Sequence, residues 1–230
     1  MINKAKGLLS LICMLSVYSV QAEPKWIVLF DGQDTSLLRG YRMETFPANA
    51  WAIEDGTLAT LSDVDNVDIV TRDTFESFEL VYDWKVSKAG NSGLFFHVKE
   101  LNDMESGNGN SPNWLNDFEI QIQDDVNFYD KDPERSAGSL YDLIAPASRA
   151  VRPWGEFNEA RLVVDNGRVT HYLNGVKVLD FTIGSDELKR KIKDSKFKDN
   201  PIFGQSREGH IMFQHHGEKV WFRNIKVRRL

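Results

Sequence analysis

Asn174-Gly175 stands between two short runs of alternating apolar residues, 169–173 and 176–181, and it limits the fold of this chain more than any other feature. A two-residue type I′ turn needs positive φ at both central positions, which Asn-Gly tolerates best, so the two runs pair as an antiparallel hairpin. Asn166-Gly167 repeats the device one strand earlier, and residues 160–181 therefore read as a three-stranded antiparallel meander. The same period of two runs through residues 78–86, where Phe78, Leu80, Tyr82, Trp84 and Val86 alternate with Glu79, Val81, Asp83 and Lys85. Shorter runs at 94–98, 118–123, 210–214 and 220–227 continue the pattern. Many short strands divided by turn residues predict an all-β sandwich, jelly roll or barrel.

One segment has helical spacing. In residues 185–197, Ser185 is placed to cap, and Leu188, Ile192 and, less regularly, Phe197 recur among lysines, which predicts a short surface helix in a crossover. Two polar stretches, residues 102–116 and 124–137, flank the run 118–123 and read as loops that rim a site.

At the N-terminus Lys4 and Lys6 precede an apolar stretch, residues 7–20, that ends in Val20-Gln21-Ala22. This is the layout of a secretory signal peptide. A membrane helix needs about 20 apolar residues, and this stretch is shorter and broken by serines. Residues 1–22 are thus expected to be a cleaved signal and residues 23–230 a single domain, exported to the periplasm or the medium without stable membrane insertion. Cys13, the one cysteine, falls inside the expected signal. Removing Lys4 and Lys6 from 28 basic residues leaves 26 against 34 acidic ones, a net charge of −8. That sign disfavours nucleic acid and anionic lipid surfaces. It suits a small neutral carbohydrate, on which some of the 14 Phe, 6 Trp and 6 Tyr could stack.

With Phe118, Ile120 and Ile122 turned to the core, Asp117, Glu119, Gln121 and Gln123 share the other face of what reads as a central strand. Retaining glycosidases set two carboxyl groups about 5–5.5 Å apart. Here a glutamine follows Glu119, and the second carboxylate would have to be Asp117 at the strand end, so ordinary two-carboxylate hydrolysis fits poorly. In residues 210–217, Met212, Gln214 and His216 oppose Ile211 and Phe213. His216 is a candidate base, and the adjacent His215 and His216 are not expected to face the same groove. His97 and His171 also lie on strands, but the five histidines match no zinc pattern. Asp63, Asp65, Asn66 and Asp68 lack the glycine and terminal glutamate of an EF-hand. No metal ligands are assigned, and a divalent metal stays open.

Seven stretches carry a family resemblance: Leu29-Phe30-Asp31-Gly32, Trp51-Ala52-Ile53-Glu54-Asp55-Gly56, Phe78-Glu79-Leu80 leading to Gly90-Asn91-Ser92-Gly93, Glu119-Ile120-Gln121-Ile122, Gly138-Ser139-Leu140-Tyr141-Asp142, His171-Tyr172-Leu173-Asn174-Gly175, and residues 210–217 followed by Val220-Trp221-Phe222-Arg223-Asn224-Ile225. In this order, across residues 27–230, the chain resembles the 3-keto-disaccharide hydrolase domain family. One departure is that the family commonly has an Asp where His215 stands. The resemblance implies a concanavalin A-like jelly-roll sandwich of two antiparallel sheets, and glycosides whose sugar carries a ketone at carbon 3 as substrates.

A ketone at carbon 3 acidifies the hydrogen on carbon 2, so a base can form an enolate that expels the glycosidic oxygen from carbon 1. This route needs a base, an enolate stabiliser and a leaving-group acid, without a carboxylate pair. It makes Glu119 and His216 the candidate catalytic residues. Gln121, Asn91, His97, Tyr141, His171 and Arg223 are the candidate substrate-binding residues. Because fold does not determine function, a non-catalytic carbohydrate-binding module and a structural domain of the cell envelope stay open as alternatives.

Overall fold

Period-two burial runs through the computed structural model, which describes residues 24–100 and 117–230. The expected signal, residues 1–22, and the expected loop at 102–116 fall outside the described residues. In chain order the elements are β1 (Ile27–Phe30), β2 (Leu38–Gly40), β3 (Trp51–Glu54), β4 (Thr57–Thr60), β5 (Ile69–Thr71), β6 (Phe78–Val86), β7 (Asn91–Val98) and β8 (Phe118–Gln123). They continue with β9 (Asn158–Asp165), β10 (Arg168–Leu173), β11 (Val176–Thr182), α1 (Asp186–Asp194), β12 (His210–Phe213) and β13 (Val220–Arg229).

The strands form two antiparallel sheets of the jelly-roll kind. One has eight strands in the order β11-β10-β9-β6-β13-β4-β3, with β1 also paired to β13; the other has five in the order β2-β5-β12-β7-β8. Phe78, Leu80, Tyr82, Trp84 and Val86 of β6 and Phe222, Ile225 and Val227 of β13 point between the sheets. They meet Leu94 and Phe96 of β7, Phe118, Ile120 and Ile122 of β8, and Ile211 and Phe213 of β12. Burying a side chain of this size contributes about 1.5–3 kcal/mol. Two of the four outward positions of β6, Glu79 and Asp83, are carboxylates tied across strands. Glu79 accepts from Arg161 of β9 and Arg228 of β13, and Asp83 accepts from Arg223 at 3.0 Å.

The meander forms as expected. Asn166 and Gly167 have φ of 47° and 82°, and Asn174 and Gly175 have φ of 50° and 80°. The helix begins where expected too, with the Ser185 hydroxyl accepting from Leu188 N at 3.2 Å. It ends at Asp194, short of Phe197, because Ser195 is extended and donates back to the Ile192 carbonyl. The chain then turns in: Phe197 stacks on Phe203 at 4.0 Å, and Phe203 meets Phe118 of β8 edge-on at 5.3 Å.

β8 is the last strand of its sheet, not a central one. Its outer edge is covered by an irregular segment: Gly138 N donates to the Gln121 carbonyl at 2.8 Å, Gln121 N to Ser139 at 3.1 Å, and Tyr141 N to Glu119 at 3.0 Å. Covering an edge in this way removes a pairing template for other chains. With backbone hydrogen bonds on both sides, β8 is satisfied as a central strand would be although it ends its sheet.

Gly175 isolates the backbone contribution of the second turn, because a Cβ there would meet nothing within 4 Å. Gly175→Ala is expected to lower unfolding stability by about 1 kcal/mol through the strain of positive φ alone. A shifted urea midpoint with an unchanged slope is the expected reading, and no shift at all would show that the turn bears no such strain.

Candidate active site

On the face of the five-stranded sheet turned away from the core lies a pocket of about 380 Å³. Each wall comes from a different element. Glu119 and Gln121 rise from β8, Asn91 from β7, and Gln214, His215 and His216 from the end of β12. Asn66 and Asp68 enter from the loop before β5, Tyr141 from the edge segment, and Lys196 from the chain after α1.

Glu119 reaches the pocket by lying across its neighbouring strand. Gly93 of β7 pairs with Gln121, and a Cβ built on Gly93 would stand 2.2 Å from Glu119 Oε1 and 2.8 Å from its carboxyl carbon. Only a bare backbone admits the carboxyl there. Burial pushes its pKa from 4.5 up to about 8; the Lys196 charge opposes that rise and the Asp68 charge adds to it. Lys196 is held with its N–H donating to Asp142 Oδ2 at 3.0 Å and its ammonium 4.1 Å from the centre of the Tyr141 ring. Its own pKa is lowered by burial, against the attraction of Glu119 and Asp142. Tyr141 is raised to about 12, by burial first and by Glu119 second.

A second carboxyl faces the same pocket. Burial raises Asp68 to about 6, although His215 N donates to its Oδ1 at 2.7 Å and the His216 charge also pulls it down. Two carboxyl groups held above the usual range in one pocket are equipped to give and take protons. Asn91 Oδ1 is buried without a hydrogen-bond partner among the described residues, an acceptor suited to a hydroxyl of a ligand. Gln121 donates to Gln123 Oε1 at 3.1 Å, and Gln123 donates to Asp125 Oδ1 at 3.1 Å, which extends the polar row along β8.

Of the candidates named from sequence, Glu119, His216, Gln121, Asn91 and Tyr141 come together here. His216 Nδ1 lies 2.7 Å from Glu218 Oε2 on the rim. His215 also borders the pocket, but its nitrogens are occupied: Nε2 is 3.0 Å from the Leu61 carbonyl and Nδ1 accepts from Gly217 N at 3.2 Å.

Three candidates do not belong to the pocket. His97 has φ of 59° at the end of β7, so its ring leaves the outer face and packs edge-on against Phe78 and Phe96, with Nε2 2.8 Å from the Glu76 carbonyl. His171 is in the other sheet, buried between the layers, where burial lowers its pKa to about 4 and Nδ1 sits 3.3 Å from the Gly138 carbonyl. Arg223 lies on the far face of the eight-stranded sheet, paired to Asp83 and 3.8 Å from the centre of the Phe157 ring. A bulge with Asn224 at φ 54° switches the parity of β13 between Phe222 and Ile225 and leaves Arg223 outside.

Asp68 and Lys196 were not singled out from sequence as site residues. The short run of β5 after Asp68 gave a usable parity signal; the placement of Lys196 depends on how the crossover folds back. Asp117, the other carboxylate of the β8 row, does not line the pocket; burial raises its pKa well above the usual range. Among the described residues no group of three or more His, Cys, Asp or Glu is placed to hold a metal ion.

Residues 25–228 match the family described as the 3-keto-alpha-glucoside-1,2-lyase-like domain. A 3-keto-disaccharide hydrolase of Bacteroides thetaiotaomicron is 34% identical over 228 residues, spanning 89% of this chain and 78% of that protein. A crystal structure from Parabacteroides distasonis, of a protein provisionally called a glycosyl hydrolase, superposes with a TM-score of 0.80 at 29% identity, over 89% of this chain and 94% of the other. A carbohydrate-binding module of Bacillus subtilis shares the fold alone, with a TM-score of 0.51 at 12% identity over 86% of this chain and 96% of the other.

The dependence of Glu119 on Gly93 is open to direct measurement. Gly93→Ala should force the carboxyl off the backbone, and its titration, followed by carboxyl-carbon NMR, is expected to fall from about 8 toward 4.5. An unchanged titration would show that the bare backbone is not what holds the group.

Proposed function

This chain belongs to the family of 3-keto-alpha-glucoside-1,2-lyase-like domains, and from that premise we propose that it cleaves 3-keto-glycosides by elimination across carbons 1 and 2 followed by addition of water. The relatives support glycoside cleavage in general; the oxidised substrate and the elimination are our reading. The observation that carries it is the placement of Asp68, Glu119 and Lys196 around one pocket. Two names among the comparisons also fit one sequence of events, since elimination is the work of a lyase and elimination plus hydration is net hydrolysis.

The pKa order supports the roles. Asp68, at about 6, is largely ionised at neutral pH and takes the hydrogen of carbon 2 as a proton. The electrons of that bond form the carbon 2–carbon 3 double bond of an enolate, whose oxygen meets the positive charge of Lys196 beside Tyr141. Collapse of the enolate forms the carbon 1–carbon 2 double bond and breaks the bond from carbon 1 to the glycosidic oxygen. Glu119, at about 8, is largely protonated at neutral pH and gives its proton to that oxygen. Water then adds at carbon 1 and a proton returns to carbon 2. Asn91 and Gln121 hold sugar hydroxyls, and His216 flanks the opening.

Asp68 and Glu119 are also two carboxyl groups in one pocket, which favours a second reading, conventional hydrolysis of an unoxidised glycoside. Solvent isotope incorporation separates the two. In deuterated water, elimination should place deuterium at carbon 2 of the released 3-keto sugar beyond any exchange without enzyme, and the unoxidised disaccharide should stay intact. Rapid cleavage of the unoxidised sugar with no deuterium at carbon 2 would leave the conventional reading in its place.

The roles predict a bell-shaped rate profile, rising as Asp68 ionises near pH 6 and falling as Glu119 loses its proton near pH 8. Glu119→Gln should cut turnover by about 10²–10⁴ and Asp68→Asn by a similar factor, each with the fold intact by circular dichroism. Wild-type turnover in either variant removes that residue from proton transfer.

A further inference from the structure

Tyr129 is 85% exposed, more than any other large apolar side chain among the described residues. It is nonetheless firmly presented. Its ring packs on Phe128 at 4.6 Å, and Phe128 meets the His216 ring edge-on at 6.5 Å. The three rings therefore step outward from the pocket rim.

The loop that carries Phe128 and Tyr129 is tied at both ends. Asp124 accepts from Val126 N at 3.0 Å, Asn127 N at 3.2 Å, Ala89 N at 2.9 Å and the Asn127 amide at 2.7 Å. Lys131 donates to the carbonyls of Asp125 at 2.9 Å and Val126 at 3.0 Å, and to that of Phe128. A loop so held loses little further freedom when a ligand settles on it. An exposed aromatic on a rigid loop beside a polar pocket gains little for the fold, and it is suited to a ligand with one apolar face. The C–H face of a pyranose ring is such a face, and it meets the negative face of an aromatic ring favourably.

We propose that Tyr129 is the stacking platform for the leaving sugar, a reading that rests on the glycoside cleavage proposed above. With the oxidised ring over Glu119, the second ring of a disaccharide extends past the pocket wall. On the His216 side the Phe128–Tyr129 step is the apolar face it meets. Tyr129 then acts on recognition of the leaving group, not on the chemical step.

The test compares Tyr129→Ala and Tyr129→Trp with wild type on two oxidised substrates, a 3-keto-disaccharide and a methyl 3-keto-glucoside. Tyr129→Ala should raise KM for the disaccharide about three- to tenfold with kcat and melting temperature held. It should leave the methyl glycoside unchanged, and Tyr129→Trp should restore the disaccharide KM. Equal effects on both substrates, or none on either, overturn the platform. If wild type turns over neither substrate, the activity reading fails, and binding of an unoxidised disaccharide followed by NMR decides the platform by itself: about three- to tenfold weaker binding to Tyr129→Ala supports it, and equal binding overturns it.

Discussion

The site exists because one strand is obliged to do two things. Phe118, Ile120 and Ile122 of β8 are drawn between the sheets by burial, and the pleat then leaves Glu119, Gln121 and Gln123 no choice but the opposite face. Pairing with β7 sets Gly93 beside them, and that glycine decides whether the carboxyl of Glu119 stands up into solvent or lies down into a protein environment. A single methyl group at Gly93 would meet three atoms of the Glu119 side chain within 3 Å. The depth of the acid thus follows from the core packing of its own strand and the missing side chain of the next.

Around that acid, charge is arranged from distant parts of the chain. Lys196 arrives from the crossover after α1, and Asp68 from the approach to β5. In a partly desolvated pocket each charge acts on its neighbours more strongly than it would in water. Lys196 favours the ionised form of Glu119, while Asp68 favours the neutral form, and burial outweighs both. The two carboxyl groups therefore hold protons to different pH values, which is what separate roles as base and acid require.

Local periodicity made the sheets legible in the sequence, because a half-buried strand writes its two faces into alternate residues and Asn-Gly marks the turns. It showed the meander and the polar face of β8 with Glu119 and Gln121, and the parity of His216; Asn91 and Tyr141 came with the family resemblance, and all five meet in one pocket. It misled where a single positive-φ residue changes parity. His97 turns into the core, whereas Arg223, outside the bulge at Asn224, is kept from the pocket because β13 belongs to the eight-stranded sheet. His171 follows its strand faithfully but belongs to the other sheet, an assignment that depends on pairing between distant segments. Lys196 is placed by aromatic contacts of Phe197 with Phe203, and of Phe203 with Phe118, that join residues far apart in the chain.

The raised carboxyl of Glu119 makes folding itself a proton-uptake reaction. Between pH 4.5 and about 8 the unfolded chain has released this proton while the folded chain keeps it. The group's contribution to stability is thus complete below pH 4.5 and is lost as pH rises through about 8. Asp68 repeats the linkage over the lower window, from 3.8 to about 6. The share of stability that these two pocket carboxyl groups supply is therefore greatest in mild acid and declines toward alkali.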